Sequence, residues 1–126
     1  MSDHSFYKPG KPFCGAVQVG KMIFTSGQVP TDATGATESS DIKAQTACVM
    51  QKIKESIEAF GAHVKDIVKC TVFLTDISLF GGMNEIYIKF FEDNGAVDSL
   101  PASSAMEISK LVKPAWPVEI DALAIK

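Results

Sequence analysis

Few residues of this chain are equipped for chemistry, and their placement restricts what that chemistry can be. Thr25-Ser26-Gly27-Gln28 stands where an apolar run meets a proline-containing loop. A glycine there lets a backbone N–H approach a ligand closely, and Ser26 places a hydroxyl beside it. A β-bulge with an internally satisfied hydroxyl fits the same four residues, so both readings stay open. Glu107 and Glu119 alternate with apolar neighbours in β-rich runs. Such a carboxylate faces solvent or, if its sheet face is covered, must be paired or employed. His4 and His63 have no partner at metal-ligand spacing, so both read as surface residues and no metal site is expected. Cys14 lacks a recognisable base and reads as a small buried hydrophobe. Gly81-Gly82 lacks the lysine–serine pair of a phosphate cradle.

All twelve basic residues are lysines, scattered along the chain, and the net charge is −3. Binding to nucleic acid through phosphates needs clustered cations, so a nucleic-acid partner is not expected. Without arginine the chain has no planar, bidentate clamp for a carboxylate or phosphate. Cys14, Cys48 and Cys70 form no close-spaced pair, which argues against a disulfide framework and for a reducing, cytoplasmic setting. No apolar run approaches a membrane span, and Met1–Pro12 carries no apolar signal-peptide core.

The elements that must position these residues are legible in outline. The 126 residues, 46% hydrophobic and 21% charged, suit one soluble domain spanning 1–126. Ala16–Val19 and Met22–Ser26 flank Gly20-Lys21, which predicts a hairpin with a type II′ turn. Thr31–Ser40 reads as a surface loop. Ser40 as cap and Asp41 in the first turn open a helix carrying Ile42, Val49, Ile53, Ile57 and Phe60, and Gly61 ends it. Ile67–Thr75 is apolar on both faces and reads as a central strand. A second helix carries Phe80, Met83, Tyr87 and Phe90 on one stripe, and strands follow at Ala102–Ile108 and Val118–Ile125. The order β-β-α-β-α-β-β predicts a mixed sheet with parallel neighbours joined through helices. Two helices cannot cover both faces of that sheet, so another subunit is expected on the second.

Taken together, these segments resemble the RidA family, also called YjgF or endoribonuclease L-PSP. The resemblance lies in Ile23-Phe24-Thr25-Ser26-Gly27-Gln28-Val29-Pro30, in Asp66 to Asp76, and in Met83-Asn84-Glu85-Ile86-Tyr87 before Phe90-Phe91. It continues through Leu100-Pro101-Ala102 and Met106-Glu107-Ile108 to Val118-Glu119-Ile120-Asp121-Ala122. The resemblance implies a chorismate-mutase-like α+β fold, with two helices on one face of a mixed sheet. It also implies a homotrimeric barrel with small-molecule clefts between subunits, and an enamine/imine deaminase that uses no cofactor. Glu119 matches the acid that positions the attacking water. Ser26 with Gly27 and Asn84 match cleft residues, Ala105 matches a position used through its backbone, and Phe13 matches an aromatic at the cleft wall.

One position departs from the family pattern. Active deaminases of this family carry an arginine after Pro-Ala that grips the substrate carboxylate, and Ser103 stands there instead. Two charge-assisted hydrogen bonds of about 1.5–3 kcal/mol each are missing, equivalent to about 10²–10⁴ in kcat/KM for an acidic imine. Lys110 is an unlikely substitute, since an extended strand would carry it about 23 Å from Ser103 and onto the opposite face. The expectation is therefore a deaminase-type hydrolase with weak or altered activity. The alternative is a non-catalytic small-molecule-binding or regulatory trimer. The ribonuclease and translation-inhibitor role in the family's older name is disfavoured by the acidic balance and the absent acid–base pair.

Overall fold

The computed structural model describes residues 4–7, 15–32, 34–38 and 41–126. Strands β1 (His4–Tyr7), β2 (Ala16–Val19), β3 (Met22–Thr25), β4 (Ile67–Leu74), β5 (Ala102–Glu107) and β6 (Val118–Ile125) form one sheet in the order β1-β2-β3-β6-β4-β5. Helices α1 (Ile42–Glu58) and α2 (Phe80–Asp93) complete a mixed α+β domain. β1 adds an edge strand at a terminus where none was expected, pairing with β2.

Local chemistry accounts for most boundaries. Gly20 has φ 60°, and among the described residues no non-glycine has positive φ. A type I′ turn would need Lys21 there as well, so the β2–β3 turn is type II′ as predicted. Asp41, not Ser40, caps α1: its backbone is extended and its carboxylate accepts the Lys43 N–H at 2.9 Å. Ser40 lies outside the described residues. Gly61, at φ 80°, turns the chain away beyond α1. In α2 the buried stripe is Met83, Tyr87 and Phe91, while Phe90 packs edge-on against Phe91 from a half-buried position. Successive steps of four keep these three residues on the face toward the sheet better than the expected step of three.

The crossovers divide the expectation of parallel neighbours. Through α2, β4 reaches β5 as a parallel neighbour. Through α1, β3 reaches a strand of the same direction, but β6 lies between them, antiparallel to both. The last strand thus closes a gap left by the first half of the chain. Its Val118, Ile120, Ala122 and Ala124 are buried with Ile23, Cys70, Val72 and Leu74, beneath Val49, Ile53 and Ile57 of α1 and Met83 and Phe91 of α2. On the other face, Met22, Phe24, Met106 and Ile125 are exposed, beside half-buried Phe73 and Leu123. The uncovered face inferred from sequence is real, and β5, exposed at all six positions, is its open edge.

Replacing the cap tests this account of α1. Asp41→Ala leaves the Lys43 N–H without its side-chain acceptor and should cost about 1 kcal/mol. Thermal unfolding should show a drop of about 4 °C, with helix content preserved below the transition.

Candidate functional site

The described candidate residues collect into two groups on different parts of the sheet. The first is built where the chain leaves β3 and runs beside β6. Gln28 N–H donates to Ile120 O at 2.8 Å and Ile120 N–H returns the bond to Gln28 O at 3.1 Å. Ser26 N–H donates to Gly15 O at 2.9 Å. Segment 26–28 is therefore fixed, and the Glu119 side chain lies over Gly27. A methyl group on Gly27 would sit 2.6 Å from Glu119 Cδ and 2.9 Å from Cγ, so only glycine admits the carboxylate in this position. Burial raises the Glu119 carboxyl above its ordinary range, and Asp121 two residues along the same face adds to the effect. Burial also raises Asp121, partly offset by its hydrogen bond with Thr71 and by Lys69. Lys69 Nζ is itself committed to Ser104 Oγ at 2.8 Å.

The second group lies between α2 and β5 on the helix side. Ser103 pairs with Cys70 and Ala105 with Val72, both buried beneath the helices. Glu107 pairs with Leu74 on the same side, and its carboxylate accepts the Ile77 N–H at 2.9 Å. That bond resolves the open reading of Glu107: it anchors the turn into α2. In α2, Asn84 is half-buried, and one helical turn later Tyr87 comes beside Ser103 and Cys70.

Within one chain the groups do not meet. Glu119 pairs with Phe73, and Phe73 with Met106, three residues beyond Ser103. Ser103 is thus two strands across and three residues along, about 10 Å in each direction, with its side chain on the opposite face. An arginine at 103 would not stand near Glu119 of the same subunit. Phe13 and Cys14 lie outside the described residues. β5 ends at Glu107, so Lys110 is on no strand; it lines a groove with Thr75, Lys113 and Trp116 in the following loop. Among the described residues no three of His, Cys, Asp and Glu gather as a metal site requires. No helix among them is long and apolar enough to cross a membrane.

Tyr87 and Asp121 belong to these groups although sequence reasoning did not select them. Their signal was spacing: Tyr87 is one helical turn after Asn84, and Asp121 is two strand residues after Glu119.

The family model for endoribonuclease L-PSP matches residues 5–126. The chain belongs to this family. Among its relatives, a RutC family protein of Pyrococcus abyssi is 42% identical over 120 residues, covering 94% of this chain and 90% of that protein. The 2-iminobutanoate/2-iminopropanoate deaminase of Salmonella typhimurium is 36% identical over 115 residues, covering 91% and 88%. Of solved family structures, that of Escherichia coli TdcF with bound serine superposes with a TM-score of 0.86 at 35% identity, covering 92% of this chain and 89% of that one. The family resemblance expected from the motifs is therefore confirmed, and with it the mixed α+β fold.

The strain on Glu119 has a measurable sign. A carboxyl whose pKa is raised by folding is destabilised in its charged form, so it weakens the fold once pH rises above its unfolded value of about 4.3. Glu119→Gln should therefore raise the melting temperature at pH 7, and the gain should vanish as pH falls below about 4. A melting series across that range is the check.

Proposed function

We propose that this protein hydrolyses amino-acid-derived enamines and imines in clefts between subunits, weakly or with an altered preference because Ser103 replaces the family's anchoring arginine. The observation that carries the reading is the half-buried Glu119 carboxylate seated over Gly27, in a chain whose relatives include named deaminases. In this scheme the Glu119 carboxylate accepts a proton from water as its oxygen attacks the imine carbon. The resulting carbinolamine collapses to a carbonyl and releases ammonia. The imine carbon is already electrophilic, so the protein's task is to orient water and hold the ligand. Ser26 and the Gly27 backbone border the water, and Asn84, Ser103 and the Ala105 backbone hold the far end. Phe13 is assigned to the cleft wall by resemblance alone.

A homotrimer follows from the same reading. Since Ser103 and Glu119 face opposite sides of one sheet, a complete cleft pairs the Glu119 group of one subunit with the Ser103 group of its neighbour. The open face bearing Met22, Phe24, Met106 and Ile125, and the unpaired edge of β5, would be covered by the same assembly. Cys48 and Cys70 are free thiols, which suits a cytoplasmic location.

The second reading, a non-catalytic small-molecule-binding or regulatory trimer, is favoured by one feature: Ser103 brings no cation to the group beside Asn84 and Ala105. Nuclease action is disfavoured because Lys43 and Lys89 are tied in pairs to Glu85 and Asp93, and Lys69 to Ser104.

Light scattering should give about three times the 13.5 kDa chain mass at micromolar concentration; a stable monomer contradicts the shared cleft. Ser103→Arg supplies the missing guanidinium from the neighbouring subunit, and steady-state assays should show kcat/KM for 2-aminoacrylate-type imines rising by at least about tenfold. No rise, in a variant that is still trimeric, would favour the binding module.

A further inference from the structure

The space between α2 and β5 holds a polar group that the scheme above does not use. Tyr87 is only 5% exposed, and its phenolic oxygen is sealed from solvent, close to Cys70 and Ser103 but in well-formed hydrogen-bond geometry with neither. Buried tyrosine hydroxyls are ordinarily bonded, so this one is poised for a partner. Its polar neighbours are the Cys70 thiol and the Ser103 hydroxyl, which face each other across β4 and β5. Cys70 is fully buried, and desolvation pushes its thiol up to about 11, leaving a neutral and weak S–H donor. Burial likewise raises the Tyr87 phenol, which remains an O–H donor.

Ser103 differs from both. It stands exposed on the edge strand, and its hydroxyl hydrogen can rotate to suit its partners. It alone borders both the buried phenol and the open side. A modest rotation lets Ser103 Oγ accept the Tyr87 proton, and the Ser103 proton then points outward to an acceptor. All three groups are neutral. Lys69, at the neighbouring register position, is turned to the opposite face and bound to Ser104. Among the described residues no other cation is shown beside this group, so a carboxylate entering here would lose water without a counter-charge from them, whereas a neutral oxygen needs only the donor that is offered.

We infer that the exposed Ser103 hydroxyl receives the carbonyl or hydroxyl oxygen of an uncharged ligand through a hydroxyl relay, in which Tyr87 donates to Ser103 and Ser103 donates to the ligand. The inference rests on the intersubunit cleft proposed above and narrows its ligand class from acidic to neutral. Ser103 is the group that touches the ligand, and Tyr87 is a positioning residue.

Lactamide and lactate have nearly the same shape and differ in charge, so they separate the possibilities. Each is titrated into the intact ¹⁵N-labelled protein while the amides of Asn84, Ser103 and Ala105 are followed by NMR. Lactamide should bind at least about threefold more tightly than lactate. Tyr87→Phe keeps the ring and removes the donor; it should weaken lactamide by about threefold and leave lactate little changed, and Ser103→Ala should do the same. A purely structural Tyr87 would leave the lactamide affinity unchanged in Tyr87→Phe, which overturns the relay. Lactate binding as tightly as lactamide overturns the neutral preference, yet the cleft reading survives because the same amides still respond. If neither probe perturbs those amides, both the relay and the cleft reading fall.

Discussion

β6 is hydrogen-bonded along both edges, to β3 on one side and β4 on the other, and the candidate site depends on that double pairing. Val118, Ile120, Ala122 and Ala124 take the helix side of the alternation, so Glu119, Asp121, Leu123 and Ile125 are forced to the other. A slip of one residue would bury two carboxylates under α1 and expose the core ladder. The register that stabilises the core thus holds the Glu119 carboxylate on the open face. Gly27 completes the placement: the bridge between Gln28 and Ile120 draws the loop in, and the missing side chain leaves room for the carboxylate.

Much of this was legible in the residues because period two and period 3.6 leave strong marks. The β2–β3 hairpin, both helices, the strands after them and the uncovered sheet face all follow from local patterns. The position of β6 does not, since nothing local in Val118–Ile125 says that it inserts between β3 and β4. That is a long-range choice, made when α1 has carried the chain past the gap. The same distinction governs the site. Ser26, Gly27 and Glu119 stand out as candidates by residue type and spacing, and Asn84, Ser103 and Ala105 by family resemblance alone. Their division into two groups on opposite faces does not, because the face of Ser103 is fixed by its pairing with Cys70 in a parallel register. Sequence spacing within β5 gives the alternation, and only the neighbour strand tells which half of it lies under the helices.

Electrostatically, the two groups are unlike. Around Glu119 the ionisable neighbour on its own strand is another acid, Asp121, and the Lys69 ammonium, bonded to Ser104, acts on Asp121. Around Ser103 the polar neighbours are a thiol and a phenol that burial keeps protonated. Among the described residues one group carries two carboxylates with Lys69 as counter-charge to Asp121, and the other is neutral. An imine that becomes protonated would be drawn toward Glu119, while an anionic substituent on the same ligand would meet repulsion on one side and no compensation on the other.

This asymmetry also explains why a change at Ser103 is tolerated by the fold. Every residue of β5 is exposed in the single chain, so its side chains contribute little to the core beneath α2. The burden of packing falls on Cys70, Met83, Tyr87 and Phe91, behind the strand. A serine at an exposed edge position leaves that packing intact and alters only what an incoming molecule encounters. Core packing is therefore carried by the layer behind β5, and the exposed side chains of β5 can vary at little cost to it. Tyr87 is the exception, since its ring belongs to the core and its unbonded hydroxyl points at Ser103.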